Sequence, residues 1–327
     1  MDTPSDLTEL PDGLTARSMT LADVDIVTEL VAACELHHDG VIEIDREDIE
    51  VDWARPAYDL ATESIGVFDA DRLVAEAELF KGKRAEINVH PDSLGRGVGT
   101  ALLGWTEDLA ARKGSTRVSQ TTTDANAAAA AILEAHGYGY GHTSWILEIE
   151  HDARPDDPSL PAGIGFRDYE SERDAHETYR VIEDAFNEWP NRDPATFEDW
   201  AALTIERPSF APWQMILATD ERTGDIVGVS FMLDYEAEGG WVQQVATRAS
   251  HRHQGIARAM LVRAFQAFWD QGERVVGLNT DSRTGALGMY EKVGMHVKRS
   301  YTNRAKDLGD DDSGGRRSDR ARTGSEA

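Results

Sequence analysis

Short stretches at Ile65–Phe68, Arg72–Phe80 and Arg84–Val89 are apolar-rich or alternate apolar with polar residues, which predicts three successive strands. Ahead of them, Leu14–Arg17 reads as a short strand. Ala22–His37 reads as a helix with Val27, Leu30, Val31 and Cys34 on one face. Behind them, Gly97–Lys113 reads as a helix, Thr116–Thr121 as a strand, Asn126–His136 as a helix and His142–Ile149 as a strand. The rhythm then returns. Ile164–Arg167 is a strand, Ala175–Trp189 and Thr196–Leu203 are helical, and Met215–Ala218, Ile226–Tyr235 and Gly240–Ala246 are strands. A helix over Gly255–Gln271, a strand over Val275–Asn279, a helix over Thr284–Val293 and a strand over Met295–Tyr301 complete it. This order predicts an α/β (α+β) fold of two tandem domains, each a mixed, mainly antiparallel sheet flanked by helices.

The repeat is also visible residue by residue. HPDSLGRGVGTALLGW (90–105) aligns without a gap on RASHRHQGIARAMLVR (248–263), so Gly97 matches Gly255 and Gly99 matches Ala257. Further on, EAHGY (134–138) matches EKVGM (291–295). Two anchors in the same order indicate a duplicated unit. The Pro- and Asp-rich stretch 151–163 reads as a linker between a domain over 1–150 and one over 164–308. The tail, 309–327, has little to bury and is expected to be disordered. A length of 327 residues suits two domains.

With 60 acidic against 33 basic residues the net charge is −27, which argues against a nucleic-acid or anionic-membrane partner. The single cysteine, Cys34, excludes an internal disulfide and a multi-thiolate metal site; its place on an apolar helical face reads as a buried thiol. His37, His38 and Asp39 diverge at a helix end with no third ligand indicated, so no metal is expected. The N-terminal stretch has neither the basic segment nor the apolar core of a secretory leader, and a cytoplasmic protein, monomeric or homodimeric, is expected.

The candidate chemistry lies where a strand ending near Ala246 turns through basic residues into the helix opened by Gly255. Such a helix start presents unpaired N–H groups and a positive dipole end, suited to a phosphate. Gly255 and Ala257 keep side chains clear, and Arg248 and Arg252 add charge. The run Arg252-His253-Gln254-Gly255-Ile256-Ala257 resembles the acyl-CoA loop of the GCN5-related N-acetyltransferase (GNAT) superfamily, whose pattern is Arg or Gln, two residues, Gly, one residue, then Gly or Ala. The resemblance extends to both halves and implies that the loop amides, with Val245, Ala246 and Thr247 of the preceding strand, hold CoA. It also implies that Tyr290, just before the E-x-x-G turn, protonates the leaving thiolate. Where the family often has Asn, seven residues before that tyrosine, this chain has Arg283.

The first half departs further. Its loop carries Gly95, Arg96, Gly97, Val98 and Gly99, but Leu94 replaces the leading Arg or Gln. Asn126 is present, and Leu133 stands at the tyrosine position. It therefore reads as a degenerate copy, with Val89, those loop residues and Asn126 as a second candidate cofactor site. What the resemblance implies is transfer of an acetyl group from acetyl-CoA to a primary amine of a small molecule, catalysed by the C-terminal domain. Val245–Ala246 backbone would polarise the carbonyl. The base is less defined: Gln243 and Gln244 on the strand cannot act, so Glu236 and Glu238 in the preceding turn are the candidates. Trp189 and Tyr235, near element ends, are candidates for lining an acceptor pocket. The alternative is a non-catalytic CoA-binding protein used in regulation or structure.

Overall fold

The computed structural model describes residue 7 and residues 10–189, 192–235 and 239–309. The first half runs β1 (Leu14–Arg17), α1 (Val24–His38), α2 (Arg46–Ala54), α3 (Leu60–Glu63), β2 (Ser64–Asp69), β3 (Arg72–Phe80), β4 (Arg84–Val89), α4 (Val98–Arg112), β5 (Arg117–Thr123), α5 (Ala127–Ala135) and β6 (Gly139–Glu150). The second half repeats it with β7 (Ile164–Asp168), α6 (Ser171–Phe186), α7 (Phe197–Ala202), β8 (Met215–Asp220), β9 (Ile226–Asp234), β10 (Gly240–Thr247), α8 (Ile256–Gln271), β11 (Val275–Asp281), α9 (Leu287–Lys292) and β12 (His296–Asp307). The predicted periodicity is realised most cleanly in α8. Ile256, Met260, Leu261, Ala264, Phe265 and Phe268 are all essentially sealed from solvent against the sheet.

The expectation of one sheet per domain is corrected. The strands form one twelve-stranded sheet in the order β1-β2-β3-β4-β5-β12-β6-β11-β10-β9-β8-β7. All neighbours are antiparallel except β4 with β5 and β10 with β11. The halves have exchanged their last strands. β6 pairs with β11 of the second half, from Val275↔Glu150 to Asp281↔Ser144. β12 pairs with β5 of the first half, from Tyr301↔Thr123 to Asp307↔Arg117, and the two exchanged strands pair with each other at the centre. The physical reason is burial. Leu147 of β6 has no exposure and packs in the second half's core with Val242, Leu261, Phe265, Val276 and Leu278, so this strand's apolar face belongs to the other half.

Hydrophobic clusters lie on both faces of each half. Ile65, Ala77 and Leu79 pack with α4 residues Leu102 and Leu103, while Phe68 and Leu73 pack with α1 residues Val27 and Leu30 on the other face. Phe231 and Val229 pack with Val181 and Ile182 of α6 opposite the α8 cluster.

α2 carries little helical patterning, with only Ile49 and Trp53 buried; its start is capped by Asp45, which accepts from the Glu47 N–H at 2.6 Å. It docks across the halves by charge: the largely buried Arg207 donates to Glu47 at 2.9 Å and to Asp48 at 2.8 Å. Stretch 151–163 is tied to α8, where Arg154 pairs with Asp270 at 2.9 Å and Gln266 donates to the carbonyl of Pro155 at 3.1 Å. Among the described residues no helix is long and apolar enough to cross a membrane.

Truncating Leu147 to alanine removes a first-half side chain from the second half's core. An unfolding free-energy loss of about 2–5 kcal/mol is expected in chemical denaturation. A loss within experimental error of zero would contradict the exchange of cores.

Candidate functional site

Each half opens a fork between its two parallel strands. In the second half β10 pairs with β11 only from Gly240↔Val276 to Val242↔Leu278, and the strands then part. At the same place β10 slips register against β9, between Val242 and Gln244, so a bulge lies at the fork. In the first half β4 pairs with β5 only at Arg84↔Ser119 and Ala85↔Gln120. Parting strands leave main-chain donors and acceptors without a ladder partner and aimed at whatever enters the gap.

The loops above the forks match as the repeat predicted. Gly97 and Gly255 precede α4 and α8 in the left-handed region, at φ 85° and 87°. An added Cβ at either would meet nothing within 4 Å, so the space over each helix start is clear. His253, beside Gly255, is also left-handed, at φ 62°. Gln254 is exposed, whereas the Ile256 side chain is buried in the core, leaving its backbone to act at the loop. Ala246 is buried beside α6, and Val245 and Thr247 are half-buried.

The loop arginines are already engaged. Arg248 donates to the Ile226 carbonyl at 2.6 Å and pairs with Glu177. Arg252 donates to the Thr247 carbonyl at 3.1 Å and clasps Glu188 through two bonds of 2.5 and 3.0 Å, and its guanidinium holds that carboxyl below its usual range. Arg283 closes on Asp281 at 2.6 Å, at the end of β11.

Tyr290, on α9, is half-buried and packs on the cluster that contains Val242 and Leu278, the last paired residues before the fork. Burial pushes its phenol up to about 12, so it is protonated at neutral pH and suited to giving a proton rather than taking one. Leu133, at the matching position of the first half, lines that half's cavity. Glu236 and Glu238 lie outside the described residues.

The first-half fork holds a cavity of about 350 Å³. Val89, Gly95, Gly97, Val98, Gly99 and Asn126 all line it; Arg96 points away to Asp69 at 3.1 Å. Asn126 caps α5 by accepting from the Ala129 N–H at 3.0 Å, and its amide lies 3.1 Å from His38 Nε2. Burial keeps His38 below the usual imidazole range. Cys34, also on the wall, donates to the Val89 carbonyl at 3.3 Å, and burial pushes its thiol up to about 12. It is a packed thiol, as its sequence position suggested, and not an activated nucleophile.

Two further cavities lie on the α1 face of the sheet. One, of about 1220 Å³, shares Cys34, His38, Asn88, Gln120 and Asn126 with the first and runs to Trp189, Asp281 and Arg283 of the second half. The other, of about 730 Å³, lies beside the second-half fork and includes Tyr235, Trp241, Gln243, Glu43, Glu148 and Arg299. Trp189 and Tyr235 thus line one cavity each. Glu43 and Glu148 were invisible to sequence reasoning: they sit in the first half, and only the strand exchange carries them under β10.

Residues 30–138 and 173–295 match the acetyltransferase (GNAT) family. The chain belongs to that family. It is 28% identical over 272 residues to a mycothiol acetyltransferase of Thermomonospora curvata, an alignment covering 82% of this chain and 90% of that protein. Among solved structures, a GCN5-related N-acetyltransferase from Sphaerobacter thermophilus superposes with a TM-score of 0.74 at 30% identity, covering 92% of this chain and 97% of the other. A tandem GNAT protein from the clavulanic acid biosynthesis pathway has a TM-score of 0.72 at 15% identity, covering 91% and 100%; it shares the fold. As a GNAT chain the protein uses a CoA thioester, and its forks and cleared helix starts suit the pantetheine arm and the pyrophosphate of that molecule.

A pyrophosphate that drew on Arg252 would compete with the Glu188 carboxylate already bonded to it. Glu188→Gln is therefore expected to tighten CoA binding about two- to fivefold at low salt, read by calorimetry. Weaker binding would mean that the pair braces the loop.

Proposed function

We propose that this protein transfers an acetyl group from acetyl-CoA to a primary amine of a small molecule, and that the C-terminal half carries the reaction. The observation that supports this most is the asymmetry at the two forks: a protonated phenol, Tyr290, packs beside one, and Leu133 beside the other. A leucine has no proton to give a departing thiolate. The name of the Thermomonospora curvata relative, an acetyltransferase, supports the same reaction class.

Bound acetyl-CoA supplies the activated thioester. The loop residues Arg252, His253, Gln254, Gly255, Ile256 and Ala257, with Arg283 near the end of β11, hold its phosphate end. Val245, Ala246 and Thr247 hold the pantetheine through their backbone. A main-chain N–H of the Val245–Ala246 segment stabilises the oxyanion as the amine nitrogen bonds to the carbonyl carbon. Tyr290 gives its proton to the sulfur as the C–S bond breaks. Glu236 or Glu238 takes the proton that the amine loses, directly or through water, and Tyr290 is reprotonated from solvent. Tyr235 and Gly239, which flank those glutamates in the chain, line the cavity beside β10. The first half, with Val89, the 95–99 loop and Asn126 around its cavity, is a second site for acetyl-CoA without an acid of its own.

Tyr290→Phe is expected to lower kcat about 10²- to 10³-fold while the acetyl-CoA dissociation constant stays within about twofold. An unchanged kcat in a thiol-release assay would remove Tyr290 from the mechanism. The working form is the protonated phenol, so activity carried by it falls only as pH rises through its value of about 12. Rate measurements in brief exposures should show no alkaline decline from Tyr290 below that range, and an earlier decline that vanishes in the Phe variant would contradict the assignment.

A further inference from the structure

The cavity beside the second-half fork is built largely by the other half of the chain. The segment after α1 reaches across the sheet and contributes Val41, Ile42 and Glu43, while the exchanged strands β6 and β12 contribute Ile146, Glu148 and Arg299. The segment is pinned in place. Glu35 accepts from the N–H groups of Glu43 and Ile44 at 2.7 and 3.0 Å, and Asp39 accepts from Thr123 at 2.6 Å. Val41 and Ile42 are 40% and 41% exposed, which is unusual for side chains on so firmly held a loop. Trp241 forms another wall. A Cβ at Gly277 would come within 2.8 Å of its ring, so the glycine lets the indole lie over β11.

Among the described residues that line this cavity, charge is carried by three groups, Glu43, Glu148 and Arg299. Arg299 is paired with Glu43, so its positive charge is already answered. Glu148 lies 3.7 Å from Arg299 and 3.5 Å from the exposed Lys298, beyond good hydrogen-bond length, and keeps acceptor capacity facing the cavity. The trio carries one net negative charge. Burial raises the Glu43 carboxyl above its usual range despite Arg299, and the neighbouring Glu148 charge acts in the same direction. A volume of about 730 Å³ is in the range of small-molecule sites.

We infer that this cavity is the acceptor site, that it selects a monocationic amine on an apolar or aromatic body without a carboxylate, and that Glu148 with Glu43 holds the ammonium. The inference rests on the proposed transfer in the C-terminal half, and it concerns which amine is admitted. An added carboxylate on the acceptor meets Glu148 and finds Arg299 already taken. A polyhydroxylated amine leaves its hydroxyls unpaired against Val41, Ile42 and Trp241.

The test compares phenethylamine, phenylalanine and glucosamine as probes on the full-length chain, by calorimetry with CoA bound and by thiol release with acetyl-CoA. Phenethylamine is expected to bind at least about tenfold more tightly than either of the others. Glu148→Gln should weaken its binding about tenfold or more and leave the CoA dissociation constant unchanged. Ile42→Lys, a surface change that places a cation beside the ammonium, should weaken it comparably without disturbing the fold. Tighter binding of phenylalanine or glucosamine, or phenethylamine affinity indifferent to both substitutions, overturns the inference. Thiol release reads separately: absence of turnover with every amine counts against the transfer reaction, while the binding order still decides the pocket.

Discussion

The pairing of β6 with β12 at the centre of the sheet is the constraint on which the rest depends. Each is the last strand of its half, and each lies beside a fork strand of the other. Removing either would leave long rows of backbone groups unpaired and expose Leu147 or its partners to water. The two halves are therefore not beads on a linker. They share one sheet, and the second half's core is completed by the first half's chain.

That sharing turns a duplicated unit into an asymmetric one. Both halves keep the fork, the left-handed glycine and the cleared helix start, because those features are backbone properties that survive much side-chain change. The chemistry around them has diverged. The first-half fork carries Leu133, Cys34 and a His38 held against Asn126. The second carries Tyr290 packed on the α8 cluster, and the cavity on the α1 face takes Glu43 and Glu148 from the opposite half. The first half's loop and exchanged strand also line the cavity beside the second-half fork, which ties its chain to that half whatever its own fork does.

The acidity of the chain acts locally through the arginines. Arg207, Arg248, Arg252, Arg283 and Arg299 are each engaged by carboxylates. Such pairs order loops and join the halves, but they also leave few cations free at the forks. An anion at the forks would lean on backbone N–H groups and the N-terminal starts of α4 and α8, which carboxylates cannot neutralise by pairing.

The sequence by itself determined most of the elements, their order and the duplication. The hydrophobic period names the strands and α8, and the Gly97/Gly255 match marks both helix starts, because those signals are local and steric. It also marked Tyr290 and the loop as candidate chemistry. It missed α2, whose two buried residues make no stripe, and it assigned each half its own sheet. Only the tertiary structure decided which strand lies beside which, since the alternation along β6 and the largely polar β12 names no partner strand. Glu43 and Glu148 became neighbours of β10 through that choice, and no spacing along the chain encodes a contact made by exchanging strands.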